Sequence, residues 1–267
     1  MNQAGPAEES PAVIEIKSEA AIGAMREAGR VVAHALAAVQ GAAEVGVSLS
    51  ELDEVAHTVI REAGATSPFL NYHPSFAPTP FPAVICASVN DVIVHGIPGG
   101  YRLRDGDLLS VDCGATLDGW AGDAATSFIV GSAAAADRKL IETAQRALAA
   151  GIAAAVEGNR IGDISAAIGA VARAAGYGVP SGFGGHGIGR QMHEDPHVPN
   201  EGRAGRGLRL RHGLVLAIEP MLMAGGGHGY VVAPDGWSLK TVDGSRAAHA
   251  EHTVAVTRDG PRVLTLP

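Results

Sequence analysis

Cysteine is scarce in this chain: Cys86 and Cys113 are the two among 267 residues, and they form no CxxC pair. That excludes a disulfide framework and a cysteine-built zinc site, and it fits a reducing compartment in which both stay small, buried thiols. No apolar run approaches the roughly 20 residues that cross a bilayer. The opening "MNQAGPAEESPAVIEIKS" also lacks the charged-then-apolar order of a secretory signal. A cytoplasmic location without membrane contact is therefore expected. Basic clusters are missing as well. With 20 Lys and Arg against 28 Asp and Glu the formal charge is -8, so nucleic acid is not an expected direct partner. No glycine loop follows a strand in GxGxxG or GxxxxGK[ST] form, which disfavours nucleotide binding.

What is present is a globular composition, 46% hydrophobic and 18% charged, with 36 Gly. Its length suits one domain of two similar halves. Apolar residues Ile22, Met25, Val32, Leu36 and Val39 recur at helical spacing and predict a helix over 17–41. Ser48 with Glu51 reads as a capping box opening a second helix, with Leu52, Val55, Val59 and Ile60 on its apolar face and Gly64 as its stop. The pattern returns on Leu140, Ile141, Ala144, Leu148 and Ile152, then on a helix capped by Asp163, carrying Ile164, Ile168 and Val171 and ending at Gly176. At a constant offset of 112, Gly46 meets Gly158, Leu52 meets Ile164, Arg61 meets Arg173 and Gly64 meets Gly176, which predicts a duplication. Strand-like runs "AVICASV", "DLLSVDCG", "LVLAIEP" and "EHTVAVT" follow the helix pairs. The order predicts an α+β fold, helices on one face of a largely antiparallel sheet and the site on the other.

Acidic residues sit where burial would penalise them. Asp112 and Asp123 flank a hairpin signal near Asp118-Gly119, and either turn register puts both carboxylates on one face. Glu219 closes the apolar run "LVLAI" and Glu251 opens another, with no lysine or arginine beside Glu219. A buried carboxylate costs several kcal/mol unless it is paired or bound to a metal. His186 stands in "GGHGIGRQMHEDP", which reads as a glycine loop whose backbone can approach something bulky or charged. Four carboxylates and one imidazole suit divalent Mn, Fe, Co or Zn, and two such ions would offset four negative charges. His34 and His57 lie on predicted helices and read as surface or packing residues, and "GGGHG" at 225–229 as a turn.

The segments "CASVNDVIVHGIP", "VDCGATLDGWAGD", "GGHGIGRQMHEDP", "AIEPM" and "DGWSLKTVDGSRAAHAEHTVAVT" resemble those of the bacterial type I methionine aminopeptidases, in the same order, from about residue 17 onward. The resemblance implies a pita-bread fold with pseudo-twofold halves, about 17–130 and 131–267, after a flexible segment 1–16. It implies two divalent ions, with Asp123 and Glu251 bridging, His186 and Glu219 completing one site and Asp112 the other. It also implies that Glu219 shuttles a proton, that His193 contacts the scissile carbonyl and that His95 faces the peptide nitrogen. The Met pocket would be Tyr72, Phe81, Cys86, Met192 and Trp237, apolar and polarisable as a thioether requires. The implied reaction is removal of the N-terminal methionine from nascent chains with a small second residue, at the ribosome and by a monomer. "NYHPSFAPTPFPAVIC" departs from the family by about six extra residues and reads as a stiff loop near the pocket mouth. A proline-directed peptidase would share the fold and the ligands, but "HGIP" and the short stretch before the first helix favour the methionine enzyme. A non-catalytic module on the same fold would have lost ligands, and here all five are present.

Overall fold

The computed structural model describes residues 14–267, so residues 1–13 of the expected segment 1–16 lie outside the described residues. Helix α1 (Glu19–Ala42) starts two residues later than predicted, because Ser18 is its N-cap, accepting the Ala21 N–H at 3.2 Å. Helix α2 (Leu49–Glu62) has the expected capping box: Ser48 N–H donates to Glu51 at 2.8 Å and Glu51 N–H to Ser48 Oγ at 3.3 Å. Helices α3 (Ala135–Ala154) and α4 (Ile161–Ala175) form the second pair. Asp163 does not cap α4 as expected. It lies three residues past the N-cap, Arg160, and its carboxylate accepts the Arg160 N–H at 2.7 Å. Arginine has no side-chain acceptor, so only half of a capping box forms. Gly176 ends α4 in the left-handed conformation at φ 75.

The strands are β1 (Ile85–Val89), β2 (Val92–Val94), β3 (Leu108–Leu117), β4 (Trp120–Ile129), β5 (Gly184–Gly187), β6 (Glu194–Pro199), β7 (Val215–Ile218), β8 (Met221–Met223), β9 (Tyr230–Val232), β10 (Leu239–Thr241), β11 (Ala247–His249), β12 (Glu251–Thr257) and β13 (Gly260–Val263). The main sheet runs β1-β3-β4-β12-β7-β5-β6, with β13 on β12, and its neighbours are antiparallel. Around the central β4-β12 pair the order is symmetric, β3 answering β7 and β1 answering β5. This is the pseudo-twofold α+β pita-bread arrangement. Short sheets β2-β10-β9 and β8-β11 flank it.

Each helix pair covers its own half of one face. Residues of α1 and α2 form a buried cluster with Val111, Cys113 and Ala124, and residues of α3 and α4 with Leu216, Ile218, Val254 and Val256. Because side chains alternate across a strand, Asp112, Asp123 and Glu251, each an odd number of positions from these core residues on its strand, point to the opposite face. The alternation that fills the core thus also assembles the site. Among the described residues no helix is long and apolar enough to cross a membrane.

Candidate active site

The β3-β4 hairpin closes through Asp118 (φ 50) and Gly119 (φ 75), with Leu117 opposite Trp120. Two positive φ values match the right-handed strand twist. In this register Asp112 faces Ala125 and Asp123 faces Gly114, so the two acids are diagonal neighbours on one face. Thr253 fixes the strand beyond: its hydroxyl donates to Asp123 O at 2.8 Å and accepts Asp123 N–H at 2.9 Å. That places Glu251 of β12 beside Asp123.

His186 lies in a strand, β5, rather than the loop read from the glycines. Glycine is required there by crowding: a Cβ on Gly185 would lie 2.0 Å from Ala217 O, and one on Gly187 2.1 Å from Asp195 O. The imidazole is neutral, since burial lowers its pKa to about 3. Its Nδ1 bonds Gly187 O at 2.9 Å, which assigns the proton there and leaves the Nε2 lone pair facing inward. Nε2 sits 3.6 Å from Glu219 and 3.9 Å from Asp123. Glu219 follows β7, and Asn200 Nδ2 donates to its carbonyl at 2.9 Å.

Four carboxylates and this imidazole therefore converge. Burial pushes the Asp112 carboxyl up to about 7 and that of Glu219 up to about 8, and burial with mutual repulsion raises Asp123 and Glu251 well above the usual range. One oxygen each of Asp112, Asp123 and Glu251 is buried without a hydrogen-bond partner. Among the described residues no lysine or arginine pairs with any of the four. Donor atoms of Asp123, His186 and Glu251 lie within 4.8 Å of one another. Inward lone pairs, orphaned oxygens and uncompensated acids fit divalent cations.

The cluster forms the floor of a cavity of about 550 Å³. Tyr72, Phe81, Cys86, His95, His193 and Trp237 line it. Met192 does not. It is buried beneath, in the apolar cluster with Phe69 and Phe81. Phe81 and Trp237 meet edge to face at 5.1 Å, Tyr72 stacks on His193 at 5.3 Å, and His193 lies 4.3 Å from the His186 ring. His95 occupies left-handed backbone at φ 60 and is neutral, its pKa lowered by burial to about 4. Burial pushes both thiols up, so Cys86 is un-ionised. The extra loop is built onto the rim: Trp237 Nε1 donates to Thr79 O at 3.0 Å, and Phe76, 69% exposed, meets the Trp237 edge at 5.8 Å.

The sequence motifs did not single out the lining residues Phe183, His197 and Tyr230, nor His249, which lies behind the cavity wall beside Glu219 and Glu251. His249 lies two positions before Glu251, the spacing of one strand face, which was its available signal.

The model of metallopeptidase family M24 matches residues 23–258. "Methionine aminopeptidase 1" of Mycobacterium tuberculosis is 54% identical over 261 residues, covering 95% of this chain and 96% of that protein. The crystal structure of a methionine aminopeptidase from Rickettsia prowazekii superposes with a TM-score of 0.91 at 36% identity, over 95% of this chain and 100% of the other. Prolidase from Pyrococcus furiosus, at 21% identity and a TM-score of 0.73, shares the fold alone.

Proposed function

The chain belongs to metallopeptidase family M24, and on that premise we propose that it is a methionine aminopeptidase, a metal-dependent hydrolase that removes the N-terminal methionine of polypeptides with a small second residue. The observation that carries this reading is the group of four carboxylates, buried or half-buried and three of them with an orphaned oxygen, on the floor of an apolar cavity. Asp112, Asp123, His186, Glu219 and Glu251 would hold the divalent ions. Two ions balance the four carboxylate charges; Mn, Fe, Co and Zn all suit the donor set. When bound, such a pair supplies Lewis-acid polarisation of a carbonyl and a lowered pKa for water.

The remaining chemistry falls to the protein. Glu219 accepts a proton from the attacking water and returns it to the leaving amine. His193, neutral and braced by Tyr72, donates to the carbonyl oxygen as charge develops. His95, also neutral, faces the peptide nitrogen. Tyr72, Phe81, Cys86 and Trp237 enclose the thioether side chain and exclude water, with Met192 supporting Phe81 from beneath. The free α-amine would be held on the Asp112 side of the metal centre, which explains action at the chain end. Residues 17–267 would form one catalytic domain of halves 17–130 and 131–267, working in the cytoplasm as a monomer on nascent chains at the ribosome.

The test is hydrolysis of Met-Ala-Ser against an Xaa-Pro peptide, with Mn, Fe, Co or Zn added. Metal-dependent cleavage of the first alone is expected, with loss in His186→Ala. Cleavage of the proline peptide alone, or cleavage unaltered by His186→Ala, would overturn the reading.

A further inference from the structure

One imidazole in the buried cluster has no role in the assignments above. His249, at the end of β11, is 1% exposed, and its Nε2 is buried without a hydrogen-bond partner. It lies 3.6 Å from Glu219 Oε2 and 4.0 Å from Glu251 Oε2. Those separations are too long for hydrogen bonds. They are close to what two donors adopt around a shared ion, since ligands at about 2.1 Å from a metal sit about 3 to 3.5 Å apart. They also repeat the spacing of His186, whose Nε2 is 3.6 Å from the other oxygen of Glu219 and 3.9 Å from Asp123. The donor atoms of Glu219, His249 and Glu251 lie within 4.8 Å of one another, as do those of Asp123, His186 and Glu251.

The backbone holds His249 in place. Ser127 Oγ donates to His249 O at 2.7 Å and accepts His249 N–H at 2.9 Å, and Ser110 Oγ lies 2.7 Å from Ser127 Oγ. Ser127 lies on β4 and Ser110 on β3, so the strands that carry Asp123 and Asp112 also set the height of this ring.

We propose that His249 is a sixth metal ligand, donating Nε2 to a divalent ion held with Glu219 and Glu251, so that the centre contains two imidazoles instead of one. A second nitrogen donor softens the site, favouring Zn, Co or Fe over Mn. The inference rests on the metal centre proposed above, and its test separates the two. X-ray absorption of the wild-type protein loaded with zinc counts imidazoles per metal, and chelator competition measures affinity. The expected result is two imidazoles per zinc pair, falling to one in His249→Gln, with zinc affinity reduced by at least about tenfold. His249→Asn serves where the longer amide perturbs the fold, with circular dichroism as the folding control. A wild type that binds zinc with a single imidazole, or a folded variant whose imidazole count and zinc affinity match the wild type, overturns the sixth ligand and leaves the five-ligand centre standing. A wild type that binds no divalent ion overturns both.

Discussion

In the first half of the molecule Gly46 N–H donates to Leu103 O at 2.8 Å, and in the second Gly158 N–H donates to Leu210 O at 3.0 Å. Leu49 N–H reaches Tyr101 O, and Ile161 N–H reaches Leu208 O, each at 3.0 Å. Gly46 and Gly158 share φ values of 93 and 96, Gly64 and Gly176 values of 72 and 75. The correspondence continues into the site. Asp112 lies on β3 and Glu219 directly follows β7, its counterpart, and Asp123 and Glu251 lie on the two central strands. The halves differ in nitrogen. Where the second half has His186 opposite Ala217, the first has Ser88 opposite Ser110, and His249 also belongs to the second half. Duplication thus explains the frame and the four acids, while divergence of one copy supplies the imidazoles.

This comparison is broken most sharply at the carboxylates. Asp123→Asn and Glu251→Gln remove equivalent ligands from opposite halves. Each should lower kcat/KM for Met-Ala-Ser, with metal added, by more than about a hundredfold, beyond the loss typical of outer-shell changes. Survival of either variant within tenfold of wild type would end the equivalence of the two pairs.

A smaller effect distinguishes the strands. Gly185→Ala drives a methyl group into Ala217 O and should destabilise by about 1 to 3 kcal/mol or more in urea unfolding. On the matching strand β1, which already accommodates side chains, Ala87→Gly should cost only about 0.5 to 1 kcal/mol. Equal midpoints for the two variants would mean that β5 is not held against β7 as described.

The smallest effect concerns the caps. Ser48→Ala should cost about 1 kcal/mol, a fall in Tm of about 2 to 4 °C, whereas Arg160→Ala should stay within about 0.5 kcal/mol because its side chain caps nothing. Thermal melts of the pair decide this.

Much of this frame was legible in the residues. Helix periods, the Ser48-Glu51 box, the stop at Gly176 and the Asp118-Gly119 turn are local signals, and each was realised. The shared face of Asp112 and Asp123 followed from the turn signal, while their diagonal register was decided by the turn closing at 118 and 119. Strand β5 was read as a loop because glycine is a poor strand former, and only the closeness of Ala217 O and Asp195 O explains why glycine is needed there. Asp163 was read as a cap because its chemistry suits one; the chain instead enters the helix three residues earlier, at Arg160. Met192 lies in the apolar cluster and off the cavity wall, and His249, which no motif singled out, lies beside the acids, because lateral position in a sheet depends on pairing between distant strands.

The account depends on divalent ions taking the place of protons among the buried acids. Without metal, Asp112 and Glu219 keep protons up to about 7 and about 8, whereas in the unfolded chain they release them in the ordinary carboxylate range. The folded state then binds more protons between those limits, so metal-free stability is present at low pH and falls as pH rises through 7 and 8. Metal displaces these protons and binds more tightly as pH rises, so the Tm gain on adding Mn should grow with pH. Thermal melts of metal-free and Mn-loaded protein across that range test the claim directly: a widening gap is the predicted result, and parallel curves would contradict it.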